Sequence, residues 1–338
     1  MNEFSCFLGA NSFGGFYSLY DSYIADVEPE RLFVLKGGAG CGKSGFLRRV
    51  AAAAEKKGLR AERILCSGDP DSLDGVWLPQ HRLALFDGTA PHVLEPPQVG
   101  HQGFYLDLSR HYKSGVPPLR ALERAYREHY RRAYLYLSAA GSMGSVFPLP
   151  EEAAASIRRR ARSLALRLLK QQKGGTREQR VFTDAFTCQG SVSLPDSRAS
   201  LAPQRIALTG GSELTGVFLS EVLEVARTRG HSPVICPDPL EPNRLAHLLF
   251  PEIGLGFTSI EGTRKIHLEK LLAAAVTDDW LRQRKEAEAQ QTALLQKAQK
   301  ELKLAKLAHD RLEATVHPYV DFDAVTAMAE AFIARELV

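Results

Sequence analysis

The sequence predicts an α/β protein: two P-loop-type parallel-sheet domains, the second degenerate, with a helical insert between them and a long C-terminal helix or helical hairpin. Three observations carry this: a glycine-rich loop between an apolar run and a helix, a second segment echoing the first about 172 residues later, and a near-continuous helical pattern from Asp278 to about Val316. At ~150 residues per domain, 338 residues make about two domains. Hydrophobic residues at 44% and charged residues at 24% are ordinary for a folded globular chain, which excludes wholesale disorder. No window approaches the ~18 unbroken apolar residues of a membrane span. MNEFSCFLGA has neither a basic start nor a long apolar stretch, so no secretory signal is expected. Five scattered cysteines without a C-x-x-C pair argue against a disulfide scaffold or zinc ribbon, and a reduced, cytoplasmic protein is the expectation.

Residues 1–108 form the first expected domain. RLFVLK from Arg31 is a short β-prone run, GGAGCGKS follows, and FLRRVAAAAEKKG reads as a helix ending at Gly58. RAERILC and HRLALFD are further strands, separated by the turn-rich DPDSLDG, and this alternation predicts a parallel sheet. Residues 109–180 form a basic helical insert, with Leu119 to Leu137 and Glu151 to Gln172 at helical spacing. Residues 110–180 hold sixteen Lys/Arg against five Asp/Glu, an excess of +11 that leaves −7 for the rest of a chain of net charge +4. Such asymmetry points to an anionic partner for the insert, either nucleic acid or an acidic protein.

Residues 181–262 form the second expected domain. Leu35, Gly37 and Gly38 match Leu208, Gly210 and Gly211, and Phe46, Leu47, Val50, Ala54 and Gly58 match Phe218, Leu219, Val222, Ala226 and Gly230. With small gaps, Cys66 pairs with Cys236 and Asp69-Pro70 with Asp238-Pro239. Residues 263–338 are expected to be helical. Leu295, Ala298, Leu302, Ala305, His309, Leu312 and Val316 make a 3-4 seam that fits an intramolecular hairpin or a dimer equally well.

The chemistry concentrates at Gly37–Ser44, which satisfies G-x-x-x-x-G-K-[ST]. Gly37, Gly40 and Gly42 allow turns that a Cβ obstructs. The amides of Gly37, Gly38, Ala39, Gly40, Cys41 and Gly42 are then positioned to cradle phosphate oxygens at a helix N-terminus. Lys43 supplies a point charge for the β- and γ-phosphates, and the Ser44 hydroxyl suits Mg²⁺. Asp87, directly after LALF, is the expected second carboxylate on the metal side. Gly88 follows it where a water-polarising Glu often stands, so the base is sought among Asp69, Asp71, Asp74 and His92, or the nucleophile comes from a substrate. Thr89 lies in the same DGTAPH loop.

The second copy has no lysine between Lys173 and Lys265, and Glu213 stands where phosphates would sit, so no nucleotide is expected there. Arg159 in IRRRAR is a candidate clamp on a γ-phosphate, or part of a nucleic-acid surface or a solvated helix face. His309, Glu313 and His317 share one helical face, a weak metal-ligand pattern.

GANSFGGFYSLYDSYI, FVLKGGAGCGKSGFLRR, CSGDPDSLDGVWLP and LALFDGTAPHVLEP, with RRAYLYLSAA and AHDRLEATVHPYVDFD, resemble an uncharacterised bacterial family of tandem P-loop ATPase-like proteins, found mainly in spore-forming Gram-positive bacteria. The resemblance spans essentially the whole chain. It implies two P-loop folds, with the family's phosphate-loop residues on Gly37, Gly42, Lys43 and Ser44. This chain departs from it in the second copy, where GGSELTG replaces a complete loop.

The expected function is therefore an Mg²⁺-dependent ATP-binding protein, a slow ATPase with one working site coupled to the helical elements. A nucleoside or small-molecule kinase, and a nucleotide-sensing adaptor acting through the basic insert, are the alternatives. Missing NKxD-type residues favour ATP over GTP.

Overall fold

The computed structural model describes residues 4–91, 93–96, 98–173 and 177–337. The first copy runs β1 (Phe4–Phe7), β2 (Gly9–Ser12), β3 (Gly15–Ser18), α1 (Tyr20–Val27), β4 (Arg31–Lys36), α2 (Lys43–Lys56), β5 (Glu62–Leu65), β6 (Leu73–Leu78), β7 (Leu83–Asp87) and β8 (Gly103–Asp107). Six of these strands form one sheet in the order β1-β5-β6-β7-β4-β8, with β2 and β3 as a separate hairpin. Two helices follow, α3 (Arg120–Gly144) and α4 (Glu151–Leu168).

The second copy runs β9 (Gln179–Arg180), β10 (Asp184–Thr187), β11 (Gly190–Ser193), α5 (Pro195–Leu201), β12 (Gln204–Thr209), α6 (Ser212–Thr228), β13 (Val234–Pro237), β14 (Leu245–Phe250), β15 (Leu255–Thr258) and β16 (Arg264–His267). Its sheet has the order β9-β13-β14-β15-β12-β16, strand for strand the order of the first. Then come α7 (Glu269–Ala273), α8 (Asp278–Val316) and α9 (Phe322–Glu336).

The duplication is longer than the sequence suggested. Strands β1, β2 and β3 start 175 residues before β9, β10 and β11, so the repeat begins near residue 4 rather than at Leu32. The second sheet reaches from Gln179 to His267, beyond both ends of the expected 181–262 segment. The pairing of Cys66 with Cys236 is also corrected. Matching bulges follow Ile64 in β5 and Cys236 in β13, which makes those two residues equivalent. The next loop is closed alike in both copies, by Cys66 N–H to Ser72 O and Asp238 N–H to Arg244 O. Asp69-Pro70 therefore corresponds to Glu241-Pro242.

Both sheets are mixed, not wholly parallel: β6 and β14 run antiparallel to both neighbours. Strand β6 hid inside LDGVWLP because Gly75 reads as a turn residue. In the sheet that glycine is required, since a Cβ there would overlap the Phe86 ring across the strand.

The copies meet at equivalent residues. Phe7 N–H donates to Phe182 O at 2.8 Å, and Phe182 N–H donates to Phe7 O at 2.9 Å. Reciprocal bonds between equivalent residues mark a local two-fold axis. Around it α3 and α8 lie antiparallel: the Tyr126 ring lies tilted against His309, His129 bonds Glu301, and Gln291 donates to Ala140 O. The α8 seam thus packs within the chain, through Ala298 and Leu302 with Ala133 and Leu137 of α3.

The shorter helices are exchanged. Helix α4 follows the first copy yet buries Ala153, Ile157, Ala161 and Leu164 with Phe218 and Val222 of α6. Helix α9 follows the second copy yet buries Val325, Ala329 and Phe332 with Phe46 and Val50 of α2. Phe332 packs edge-on against Phe33 at 4.8 Å and lies 5.7 Å from Phe46. Phe332→Ala should destabilise the first copy by about 3–5 kcal/mol, read as a lower urea midpoint for the transition that exposes Trp77. A midpoint equal to wild type would show that α9 is a loosely held appendage.

Candidate functional site

Strand β4 ends at Lys36 and α2 begins at Lys43, so Gly37–Gly42 make the connection. Gly37, Gly40 and Gly42 have φ of 147°, 75° and 94°, where a side chain costs about 1–2 kcal/mol. The loop is also crowded. A Cβ on Gly40 would stand 3.1 Å from Glu313 Cα and 3.3 Å from His317 Cδ2. Tyr112 lies against Gly38, and burial first, then the neighbouring Cys41, pushes its phenol up to about 12. Cys41 is buried and burial raises its thiol pKa, so it fills space rather than reacts.

Lys43, Ser44 and Asp87 come together at the end of the loop. Lys43 Nζ donates to the carbonyls of Gly37 and Gly38 at 2.8 and 2.9 Å and stands 3.7 Å from Asp87 Oδ2. Asp87 Oδ1 accepts from the Thr89 amide and hydroxyl at 2.9 and 2.7 Å, which leaves Oδ2 facing the lysine. Ser44 Oγ accepts the Leu73 N–H at 3.0 Å.

A cavity of ≈ 870 Å³ opens over these groups, near the upper end for small-molecule sites. It takes in Asp69 and Asp74, and α3 and the end of α8 form its roof. Asp74 is 7% exposed and accepts from the Tyr20 hydroxyl at 3.3 Å. Asp69 is paired with Lys306 at 3.4 Å. Asp71 is turned to Gln189 at 2.9 Å. His92 lies outside the described residues.

Arg159 is elsewhere. Its helix packs on α6 of the second copy, and the side chain donates to Ser156 at 3.0 Å. Neighbouring Arg158 and Arg162 pair with Glu151 and Glu221. The arginine at the cavity is Arg127 of α3. Sequence reasoning also missed Tyr126, Tyr130 and Tyr134 as cavity residues, although their i, i+4, i+8 spacing already put them on one helical face. His309 and Glu313 line the cavity with ring nitrogen and carboxylate 3.9 Å apart, and His317 lies against Gly40.

The second copy shows what the fold can do without. Lys43, Ser44, Asp74 and Asp87 correspond to Thr215, Gly216, Ala246 and Ser259. Helix α6 starts at Ser212, so the equivalent of the loop is largely wound into helix. Glu213 accepts from Leu149 N–H and pairs with Arg284 of α8 at 3.2 Å. No protein-family model matches the chain, and no curated protein or solved structure is similar to it. Among the described residues, no helix is long and apolar enough to cross a membrane.

Where the first copy has Gly9, Tyr23 and Gly75, the second has a half-buried Asp184 and the buried Arg198 and His247. Arg198 bonds Asp184 at 3.2 Å and Glu261 at 2.8 Å, and His247 Nε2 reaches Asp184 at 2.5 Å. Burial alone would raise the Asp184 carboxyl, but its bonds to His247 and Arg198 hold it at about 2. A depressed pKa adds stability that is complete above the unfolded value of ~3.9. It should disappear as pH falls from about 4 through 2. Asp184→Asn should flatten that stretch of the stability–pH curve, measured by urea unfolding; an unchanged slope would remove Asp184 from the acid response.

Proposed function

We propose that the first copy binds a magnesium nucleoside triphosphate at Gly37–Ser44, with ATP as the expected nucleotide, and that the second copy binds none. One observation carries the reading. Lys43, Ser44 and Asp87 converge on a glycine loop, while an equivalent copy folds with Thr215, Gly216 and Ser259 in their places. A half-buried lysine beside a buried carboxylate, neither required by the architecture, is best explained by a ligand.

The donor set fits the group. Magnesium takes hard oxygen ligands, and Ser44 Oγ and Asp87 Oδ2 would hold it, supplying charge neutralisation between the phosphates. Lys43 would exchange the carbonyls of Gly37 and Gly38 for phosphate oxygens. The loop lies under the junction of α8 and α9, with Glu313 beside Gly40 and Val325 beside Gly42. A polyanion entering there repels Glu313 and displaces this junction, which couples the site to the 39-residue α8 and, at its other end, to Arg284 on Glu213.

Hydrogen bonds to charged groups contribute about 1.5–3 kcal/mol each. Lys43→Ala should therefore weaken Mg·ATP binding about 100-fold or more by calorimetry, and equal affinity would reject the site. Mg·ATP should also change amide hydrogen exchange across residues 312–325. Unaltered exchange there, with nucleotide bound, would sever the proposed coupling.

A further inference from the structure

The cavity is longer than a triphosphate tail needs. From the glycine loop it follows the strand ends in sheet order, past Asp87 on β7 and Asp74 on β6, to Cys66 after β5 and Asn11 on β2. Over this far half lie Tyr126, Tyr130 and Tyr134 of α3, with neighbouring ring centroids 5.1 and 6.0 Å apart. The Ser44 end of the loop faces that half, because the Leu73 N–H bonded to Ser44 belongs to the residue before Asp74. Lys43 and Ser44 mark the terminal-phosphate end of such a loop. In-line displacement places the attacking oxygen beyond the terminal phosphorus, opposite the leaving oxygen. Beyond it here lies the tyrosine-lined half.

Asp74 stands at the boundary. Ile64 faces Gly75 and Leu65 faces Leu73, so Asp74 is the extra residue of a bulge, a device that re-aims a side chain. The register that sets Gly75 opposite Phe86 carries Asp74 to the row of Asp87. Both carboxylates act on the buried Tyr20 hydroxyl. Like charges opposite one another on adjacent strands are destabilising, and the second copy has Ala246 and Ser259 instead. Water alone would need a site of only about 30 Å³.

We propose that the tyrosine-lined half receives a phosphoryl acceptor, a neutral ring-bearing alcohol of nucleoside type, and that Asp74 takes its proton. The proposal rests on the nucleotide reading above. Tyrosine rings suit a flat ring, and a carboxylate suits a hydroxyl. Charge disfavours a phosphorylated acceptor: Asp69, Asp74 and Glu123 outnumber Arg127 in the lining, and Lys306 is already paired with Asp69 and Asp310. In the step, the acceptor oxygen bonds to the γ-phosphorus as the bond from that phosphorus to the bridging β-oxygen breaks. The nucleoside diphosphate leaves with the electron pair, and the hydroxyl proton passes to Asp74 and then to solvent.

The test incubates the full chain with magnesium and γ-labelled ATP, together with adenosine, guanosine, cytidine or uridine, or with the 5′-monophosphate of each. Label should enter at least one nucleoside and none of the monophosphates. Asp74→Asn should keep the calorimetric affinity for Mg·ATP and lower transfer about 10²–10⁴-fold. Tyr126→Ala should raise KM for the nucleoside. Label found only as inorganic phosphate, label transferred to an added monophosphate to give a labelled diphosphate, no turnover by a chain that binds Mg·ATP, or undiminished transfer by Asp74→Asn would overturn the acceptor proposal while leaving the nucleotide site standing. Failure of the wild-type chain to bind Mg·ATP would overturn both.

Discussion

The two main-chain bonds between Phe7 and Phe182 organise the molecule. They join equivalent residues, so they fix a local symmetry axis, and the other contacts between copies follow from it. The long helices α3 and α8 cross antiparallel because each leaves its own sheet in the same way. The helices that come after them, α4 and α9, consequently land on the opposite copy. The chain is built like a dimer that has traded helices and been tied into one polypeptide. Neither sheet has a complete core without residues from the other half.

That arrangement gives the candidate site its roof. The start of α2 supplies Lys43 and Ser44 and strand ends supply Asp74 and Asp87, but α3, α8 and the turn after α8 supply Tyr126, Glu313 and the contact of His317 on Gly40. Over the second copy, the other end of α8 brings Arg284 onto Glu213. One copy keeps an unwound loop beside a cavity lined with ionisable groups; the other winds the loop into helix and sets an ion pair on it. The fold tolerates both states, so the architecture does not by itself require the charged set of the first copy.

Much of this was legible in the residues. The glycine loop, α2, and the full extent of α8 from Asp278 to Val316 followed from spacing alone, since glycines and an unbroken helical period are local signals. The duplication was half legible. The offset between copies drifts from 175 to 172 across the repeat, so the hairpin region was missed and the Cys66 pairing slipped by two residues. Strand β6 was lost because Gly75 serves a cross-strand ring rather than a turn. Arg159 was misplaced for a different reason: which copy a helix covers is decided by tertiary packing, and Ala153, Ile157 and Ala161 read the same against either partner.

The exchange of α4 and α9 also sets the order in which the protein can mature. Phe33 and Phe46, near the amino end, wait for Phe332 to finish their packing, a contact spanning almost the whole chain and therefore slow to form. Until α9 has been made, the first copy lacks Val325, Ala329 and Phe332 from its core, and apolar surface left uncovered in this way favours association with other chains.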